Sequence, residues 1–166
     1  DKSSTANLVI DLKLNQAAAN VALDLNLFDQ VKQIKGSASL HALPFTPYAK
    51  FYRDYIDKLQ GNISIDTRFE VSLADSNSIT AKLTNNIQLQ GLELDYQQIN
   101  QKADQISWKG NSEISPDGEV ALQGNLEILD SQTSDSKHNY LISSFKRLSI
   151  NELAHQQQAI RFKQLD

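Results

Sequence analysis

Hydrophobic and polar residues alternate through most of this chain with a period of two residues. Near the start, the segment LVIDLKL places Leu8, Ile10 and Leu12 on one side and Asp11 on the other. The same alternation returns in VALDLNL and in ISIDTRFEVSL. Because successive side chains of a β-strand point to opposite faces, each segment predicts a strand with one apolar and one polar face. The pattern is typical of an antiparallel sheet.

One segment breaks this period and predicts the single helix of the chain. In LPFTPYAKFYRDYIDKLQG, apolar residues recur at helical spacing from Phe45 to Leu59. Thr46 is a suitable N-cap, Pro47 suits the first helical position, and Gly61 lies where a left-handed C-cap is common. We therefore predict one amphipathic helix that packs on the sheet.

The second half of the chain predicts a meander of six or seven strands. In KLTNNIQLQGLELDY the apolar residues change parity at Gln90–Gly91, which predicts a β-bulge or a bend there. The sequence SPDG, residues 115–118, is a tight-turn signal. Further on, DSQTSDSKHN predicts a polar loop and NELAHQQQA predicts one helical turn.

Length and composition indicate a single β-rich domain over residues 1–166. The chain is 40% hydrophobic and 22% charged, which is ordinary for a folded domain. Its formal net charge of -4 argues against a nucleic-acid partner, because such surfaces are normally basic. The chain opens and closes in patterned sequence, so we expect it to be a segment of a longer protein.

The sequence carries no motif for catalysis or for metal binding. It has no cysteine, which excludes thiolate nucleophiles and thiolate metal sites. His41, His138 and His155 lack metal-ligand spacing and are interpreted as surface residues. Carboxylates such as Asp66 and Glu70 fall on the polar faces of strands, where nothing selects a catalytic pair. We therefore predict a protein that is not an enzyme and uses no cofactor.

The apolar face of the predicted sheet is larger than one helix can cover. About eight strands, roughly 20–25 Å long and about 4.8 Å apart, give a face on the order of 800–950 Å². A helix of about 13 residues covers about 200 Å². Soluble monomers rarely expose so large an apolar patch. Either the sheet closes on itself as a β-sandwich or barrel, or it curves into a groove whose apolar lining meets lipid or a partner.

Several of these segments together resemble a known family. They are an aromatic helix with Pro44, Pro47 and Tyr48 near its start, a glycine before the strand ISID, and the later strand KLTNNIQLQGLEL. This arrangement resembles the bacterial AsmA-like (AsmA/TamB-type) envelope proteins, in a branch labelled as a domain of unknown function. The resemblance covers residues 34–100 well and the remainder loosely. The chain departs from the pattern in lacking a glycine among the tyrosines at the helix end.

The resemblance implies a location and a function. It implies a periplasmic protein of a Gram-negative bacterium, tethered to the inner membrane by an anchor outside this chain. It also implies a hydrophobic β-groove that carries phospholipid acyl chains between the inner and outer membranes. On this hypothesis the groove is lined by the side chains of the apolar parity: Leu8, Ile10, Leu12, Leu23, Leu25, Ile65, Phe69, Val71, Leu83, Ile87, Leu89, Leu122 and Leu126.

Two other functions fit the same pattern. A closed sandwich or barrel would serve as a structural or protein-interaction domain of the cell envelope, with its apolar face buried against itself. A carbohydrate-binding module would stack Trp108, the one tryptophan, on a sugar, whereas packing in the core or at an edge is the commoner use of tryptophan. Exposure of the apolar parity in the free domain distinguishes the groove from the closed fold.

Overall fold

The chain forms one curved antiparallel sheet in which neighbouring strands follow one another in sequence. The computed structural model describes residues 5–26, 32–73, 78–156, 159–161 and 163–165. Strands β1 to β8 lie side by side in chain order, and β9 and β10 both pair with β8. The strands are β1 Thr5–Leu14, β2 Ala17–Asn26, β3 Lys32–Pro44, β4 Lys58–Leu73, β5 Ile79–Tyr96, β6 Ile99–Ile114, β7 Val120–Asp135, β8 Tyr140–Gln156, β9 Ala159–Arg161 and β10 Gln164–Leu165.

The sheet is open. Across the described ranges, β1 pairs only with β2, and at the other side β8 pairs with β7, β9 and β10. The first and last strands therefore do not meet, and the sheet is not closed into a barrel. The predicted antiparallel fold is confirmed, and the self-closed alternative is not the fold of the described strands.

Short turns of matching geometry join several strands. Asn15 and Gln16 both have positive φ, of 47° and 73°, as do Gln97 and Gln98, of 47° and 72°. Positive φ at both central residues is the turn geometry that follows the right-handed twist of a hairpin. The predicted turn at residues 115–118 is also present, with the Gly118 N–H donating to the Ser115 carbonyl at 2.9 Å.

The predicted change of phase at Gly91 is a β-bulge. The pairing of β4 with β5 shifts register between Gln60 and Asn62, opposite Gly91, which has a φ of 59°. The extra residue brings Leu92 and the alternating residues after it back to the face that Leu89 occupies. The slip in the hydrophobic pattern therefore preserves one continuous apolar face.

Two further bulges are stabilised by a side chain of the opposing strand. Ala42, with a φ of 52°, interrupts the pairing of β3 with β4, and its N–H donates to the Ser64 hydroxyl at 2.9 Å. Glu152, also with a φ of 52°, interrupts the pairing of β8 with β7, and its N–H donates to the Asn125 amide oxygen at 2.9 Å. In both places a backbone donor displaced from the ladder is satisfied by a side chain.

The predicted amphipathic helix is wrong in length and type. Residues Thr46–Phe51 form a short 3₁₀ helix, which is followed by turns. Lys58 already belongs to β4, and Gly61 lies inside that strand with a φ of 120° rather than at a helix C-cap. The backbone of Leu59 pairs with that of Leu94, so the sheet ladder takes the residues that a longer helix would need.

Two predictions for the end of the chain are also wrong. The predicted loop DSQTSDSKHN is mostly strand, because β7 continues to Asp135 and only residues 136–139 form the turn. The predicted helical turn NELAHQQQA begins inside β8, which runs through the bulge at Glu152 to Gln156. Residues 157 and 158 of that segment lie outside the described residues.

Candidate functional site

All thirteen predicted groove residues lie on the same face of the sheet, which we call the apolar face. Directly opposite residues of antiparallel strands point to the same side, so the register assigns each side chain to a face. One row runs from Ile65 through Ile87 and Trp108 to Leu126. The same register aligns the other members, which are Leu8, Ile10, Leu12, Leu23, Leu25, Phe69, Val71, Leu83, Leu89 and Leu122.

The apolar face is only partly covered. Leu8, Ile10, Leu12 and Leu122 are exposed, and the other nine predicted residues are half-buried. Among the described residues, the buried apolar side chains are three alanines, and no large side chain is fully buried. A sheet normally buries one face against a second layer. The described part of this chain contains no such layer.

Trp108 lies flat across two glycines on the apolar face. A Cβ atom placed on Gly110 would lie 2.6 Å from Cζ2 of the Trp108 ring, and one placed on Gly124 would lie 2.7 Å from the same atom. Phe69 covers Gly36 in a similar way, because a Cβ atom placed on Gly36 would lie 2.8 Å from Cζ of the Phe69 ring. These glycines leave room for a ring to lie against the backbone, as in the aromatic rescue of glycine in sheets. Trp108 was not among the predicted lining residues. It lies directly opposite Ile87 in the ladder and therefore belongs to the same face.

A shallow depression beside Trp108 is part of the same face. Leu122, Leu153 and His155 line it together with the tryptophan, and its volume is about 340 Å³. His155 lies directly opposite Leu122 in the ladder. The interpretation of this histidine as a surface residue is therefore incomplete, because its half-buried side chain lines an apolar depression.

A short polar track interrupts the apolar face near its centre. The Thr67 hydroxyl donates to the Asn85 amide oxygen at 2.9 Å, and the Asn85 amide nitrogen donates to the Ser112 hydroxyl at 3.3 Å. All three side chains are half-buried. The sequence carries a signal for this track, because Thr67 and Asn85 interrupt otherwise apolar parity positions.

The opposite face carries charges that pair across strands. Lys35 lies 3.1 Å from Glu70, and Arg147 lies 2.7 Å from Glu127. Asp11 accepts a hydrogen bond from the Asn20 amide nitrogen at 2.6 Å. These carboxylates meet cations or amides rather than one another. Within the described ranges, no group of three or more histidine and carboxylate side chains could hold a metal ion.

Glu93 is the most strongly paired carboxylate of the sheet. Its two oxygens lie 2.8 Å from the Lys58 ammonium and 3.1 Å from the Lys102 ammonium. Hydrogen bonds from Lys58 and then from Lys102 hold the pKa of Glu93 below its ordinary value of 4.5. This cluster fastens the start of β4 to β5 and β6.

We expect Glu93→Gln to destabilise the protein at pH 7 and to have less effect at acidic pH. The pKa of Glu93 is lower in the folded than in the unfolded chain, so its contribution is present above pH 4.5 and is lost as pH falls through the folded pKa. Urea denaturation of both proteins at pH 7 and pH 3 measures this. A difference in unfolding free energy that stays constant between the two pH values would contradict the ionic role of Glu93.

Comparison of the chain with family models, curated proteins and solved structures finds no match. In the described part of the chain, no helix is long and apolar enough to cross a membrane.

Proposed function

We propose that the apolar face binds phospholipid acyl chains, and that the chain is a periplasmic segment of an AsmA-like protein that moves phospholipid between the inner and outer membranes. The observation that carries the proposal is the alignment of thirteen apolar side chains on one incompletely covered face. The family and the compartment in this proposal come from the sequence resemblance.

Binding of this kind is passive and breaks no bond. Each methylene group moved from water onto an apolar surface contributes about 0.8 kcal/mol. An acyl chain lying across the rows of Leu, Ile and Phe side chains therefore gains stabilisation along its length, while a charged headgroup keeps its hydration at the sheet margin. The charged pairs of the opposite face favour contact with water, so we expect acyl chains to bind the apolar face.

Trp108 provides a built-in probe of this proposal. It is the one tryptophan of the chain and lies on the apolar face. A short-chain phosphatidylcholine with brominated acyl chains, kept below its micelle concentration, should quench tryptophan fluorescence by contact. Native mass spectrometry of the purified protein, with lipid extraction of the same sample, identifies any phospholipid that purifies with it.

A matched pair of substitutions on β1 separates the two faces. Leu12 and Val9 are both exposed, at 51% and 64%, but alternate on opposite faces of the same strand. We expect Leu12→Glu to weaken lipid binding about tenfold, because losing contact with two methylene groups costs about 1.6 kcal/mol. Val9→Glu places the same charge on the polar face and should leave binding unchanged.

Equal loss of binding in both variants would contradict a lipid site on the apolar face. A stable, lipid-free monomer whose Trp108 is not quenched by added lipid would also refute the proposal. That result would favour the alternative of a structural or protein-interaction domain of the cell envelope.

A further inference from the structure

The two ends of the sheet differ in composition. Because neighbouring strands are antiparallel and follow in chain order, alternate connections lie at the same end of the sheet. One end, which we call the tyrosine end, carries the turns at 15–16, 97–98 and 136–139 and the connection at 45–57. All five tyrosines of the chain belong to it, either within these connections or at the strand ends that flank them: Tyr48, Tyr52, Tyr55, Tyr96 and Tyr140.

Several of the aromatic rings at the tyrosine end project into solvent. Phe51 is 70% exposed, Tyr55 is 76% exposed and Tyr140 is 65% exposed. Leu141 and Ile142, which follow Tyr140 in β8, are also exposed. These exposed aromatic and aliphatic side chains lie together at one end of the sheet. Exposed apolar patches of this kind mark sites of interaction with proteins or membranes.

The connection that carries Phe51 and Tyr55 is fastened to the sheet. The Tyr52 hydroxyl donates to the Leu59 carbonyl at 3.0 Å and lies 3.3 Å from the Phe45 carbonyl. The Phe45 N–H donates to the Gly61 carbonyl at 3.0 Å. Tyr52 therefore attaches the base of the connection to the sheet. The exposed rings of Phe51 and Tyr55 project from a connection that is fixed by hydrogen bonds.

The tyrosine end carries cationic side chains that form no ion pair within the described residues. Lys50 lies over the Phe51 ring, 4.9 Å from its centroid. Asp135 is engaged by the N–H groups of Lys137 and His138 and by the His138 ring, whose Nδ1 lies 2.8 Å from the carboxylate. Lys50, Arg53 and Lys137 form no ion pair within the described part of the chain, and neither do the nearby carboxylates Asp54 and Asp57.

The described connection at the opposite end is different. Residues 115–119 form a turn of serine, proline, aspartate, glycine and glutamate, held by the Ser115 N–H bond to the Glu119 carbonyl at 3.0 Å. No tyrosine lies there. Among the described residues, the exposed apolar side chains near that end are aliphatic, and they include Ile79 and Val120.

We propose that the tyrosine end contacts the headgroup region of a phospholipid bilayer. Tyrosine has an apolar ring and a polar hydroxyl, and it is enriched where hydrocarbon meets water at membrane interfaces. Phe51 and Leu141 supply apolar surface that inserts below the headgroups, while Lys50, Arg53 and Lys137 remain at the level of the phosphates. The sheet would then meet the bilayer with its strand ends. This inference does not require the apolar face to bind lipid.

Vesicle co-sedimentation tests the inference. The probe is vesicles of phosphatidylethanolamine and phosphatidylglycerol, mixed with the 166-residue chain. We expect Phe51→Ser/Tyr55→Ser to weaken binding about tenfold, since partition into the interface scales with the apolar area that is buried there. The control, Val9→Ser, removes a side chain that is 64% exposed from the polar face of β1, outside the tyrosine end and the apolar face, and should bind as the unaltered protein does. Circular dichroism checks that both variants are folded.

Three results would overturn the inference: no binding of the unaltered protein to vesicles, equal loss in both variants, or retained binding by Phe51→Ser/Tyr55→Ser. Quenching of Trp108 by soluble brominated lipid is measured on the same samples. Quenching without vesicle binding would remove the bilayer contact and leave the lipid-binding face intact. Vesicle binding without quenching would support the bilayer contact and contradict lipid binding by the apolar face.

Discussion

Replacing Gly124 by alanine is expected to lower the free energy of unfolding by about 3 kcal/mol, the upper part of the usual range for overpacking. A Cβ at this position would lie 2.5 Å from the Lys109 carbonyl oxygen and 2.7 Å from the Gly110 Cα. Both are backbone atoms of the neighbouring strand, so no side-chain rotation relieves the clash. The strands β6 and β7 must separate there, which weakens the ladder between them. Urea denaturation followed by circular dichroism measures the loss.

Gly91 provides the control for this prediction. It has a φ of 59°, but a Cβ placed there would meet no atom within 4 Å. Alanine at this position should cost only about 1 kcal/mol, because the left-handed backbone conformation is disfavoured with a side chain. Asparagine tolerates that conformation and should cost less. If Gly124→Ala destabilises no more than Gly91→Ala, close approach of β6 and β7 is not what requires glycine at position 124.

Sequence periodicity predicted the faces of the strands because an error of one residue would move every apolar side chain to the other side. Leu8 and Leu23 prefer the same face for the same reason, and antiparallel pairing then places them opposite each other. The bulge at Gly91 was predictable because the apolar parity changes visibly between Leu89 and Leu92. The open or closed form of the sheet was not predictable, since the same alternation fits both.

The helix prediction failed because helical spacing is a local signal and its competitor is distant in sequence. The backbone of Leu59 is satisfied by pairing with Leu94, and the Tyr52 hydroxyl bonds the Leu59 carbonyl. Neither partner can be recognised from the segment itself. The polar end of β7 was missed for a related reason, because Ser131 and Thr133 are satisfied by Gln101 across the ladder. A polar strand whose partners are polar has the composition of a loop.

The candidate site was predictable in membership but not in detail. Alternation identified thirteen residues of the apolar face, and the register places all of them there. It did not show that the Trp108 ring lies against the backbone, because that placement depends on the glycines of two adjacent strands, Gly110 and Gly124. Alternation also did not predict that the tyrosines lie at one end of the sheet. Tyr48 and Tyr140 are far apart in sequence, and only the strand order places their connections at the same end.

Trp108→Ala is expected to lower the free energy of unfolding by about 2–3 kcal/mol, less than the loss for a fully buried tryptophan because the ring is half-buried. The ring covers Gly110 and Gly124, and removing it exposes the backbone of β6 and β7 to water. Trp108→Phe retains part of this cover and should cost less. Urea denaturation followed by circular dichroism measures both variants, since the fluorescence of the tryptophan is lost with it.

Combining the two substitutions tests whether the ring and the glycine act together. In the Trp108→Ala background, Gly124→Ala no longer meets the ring, which lies 2.7 Å from the position of the new Cβ, but it still meets the Lys109 carbonyl. The double variant should therefore be more stable than the sum of the single losses predicts, by about 1 kcal/mol. Strict additivity would show that the ring does not rest on Gly124 in solution. Trp108 would then be free to move away from the backbone of β6 and β7.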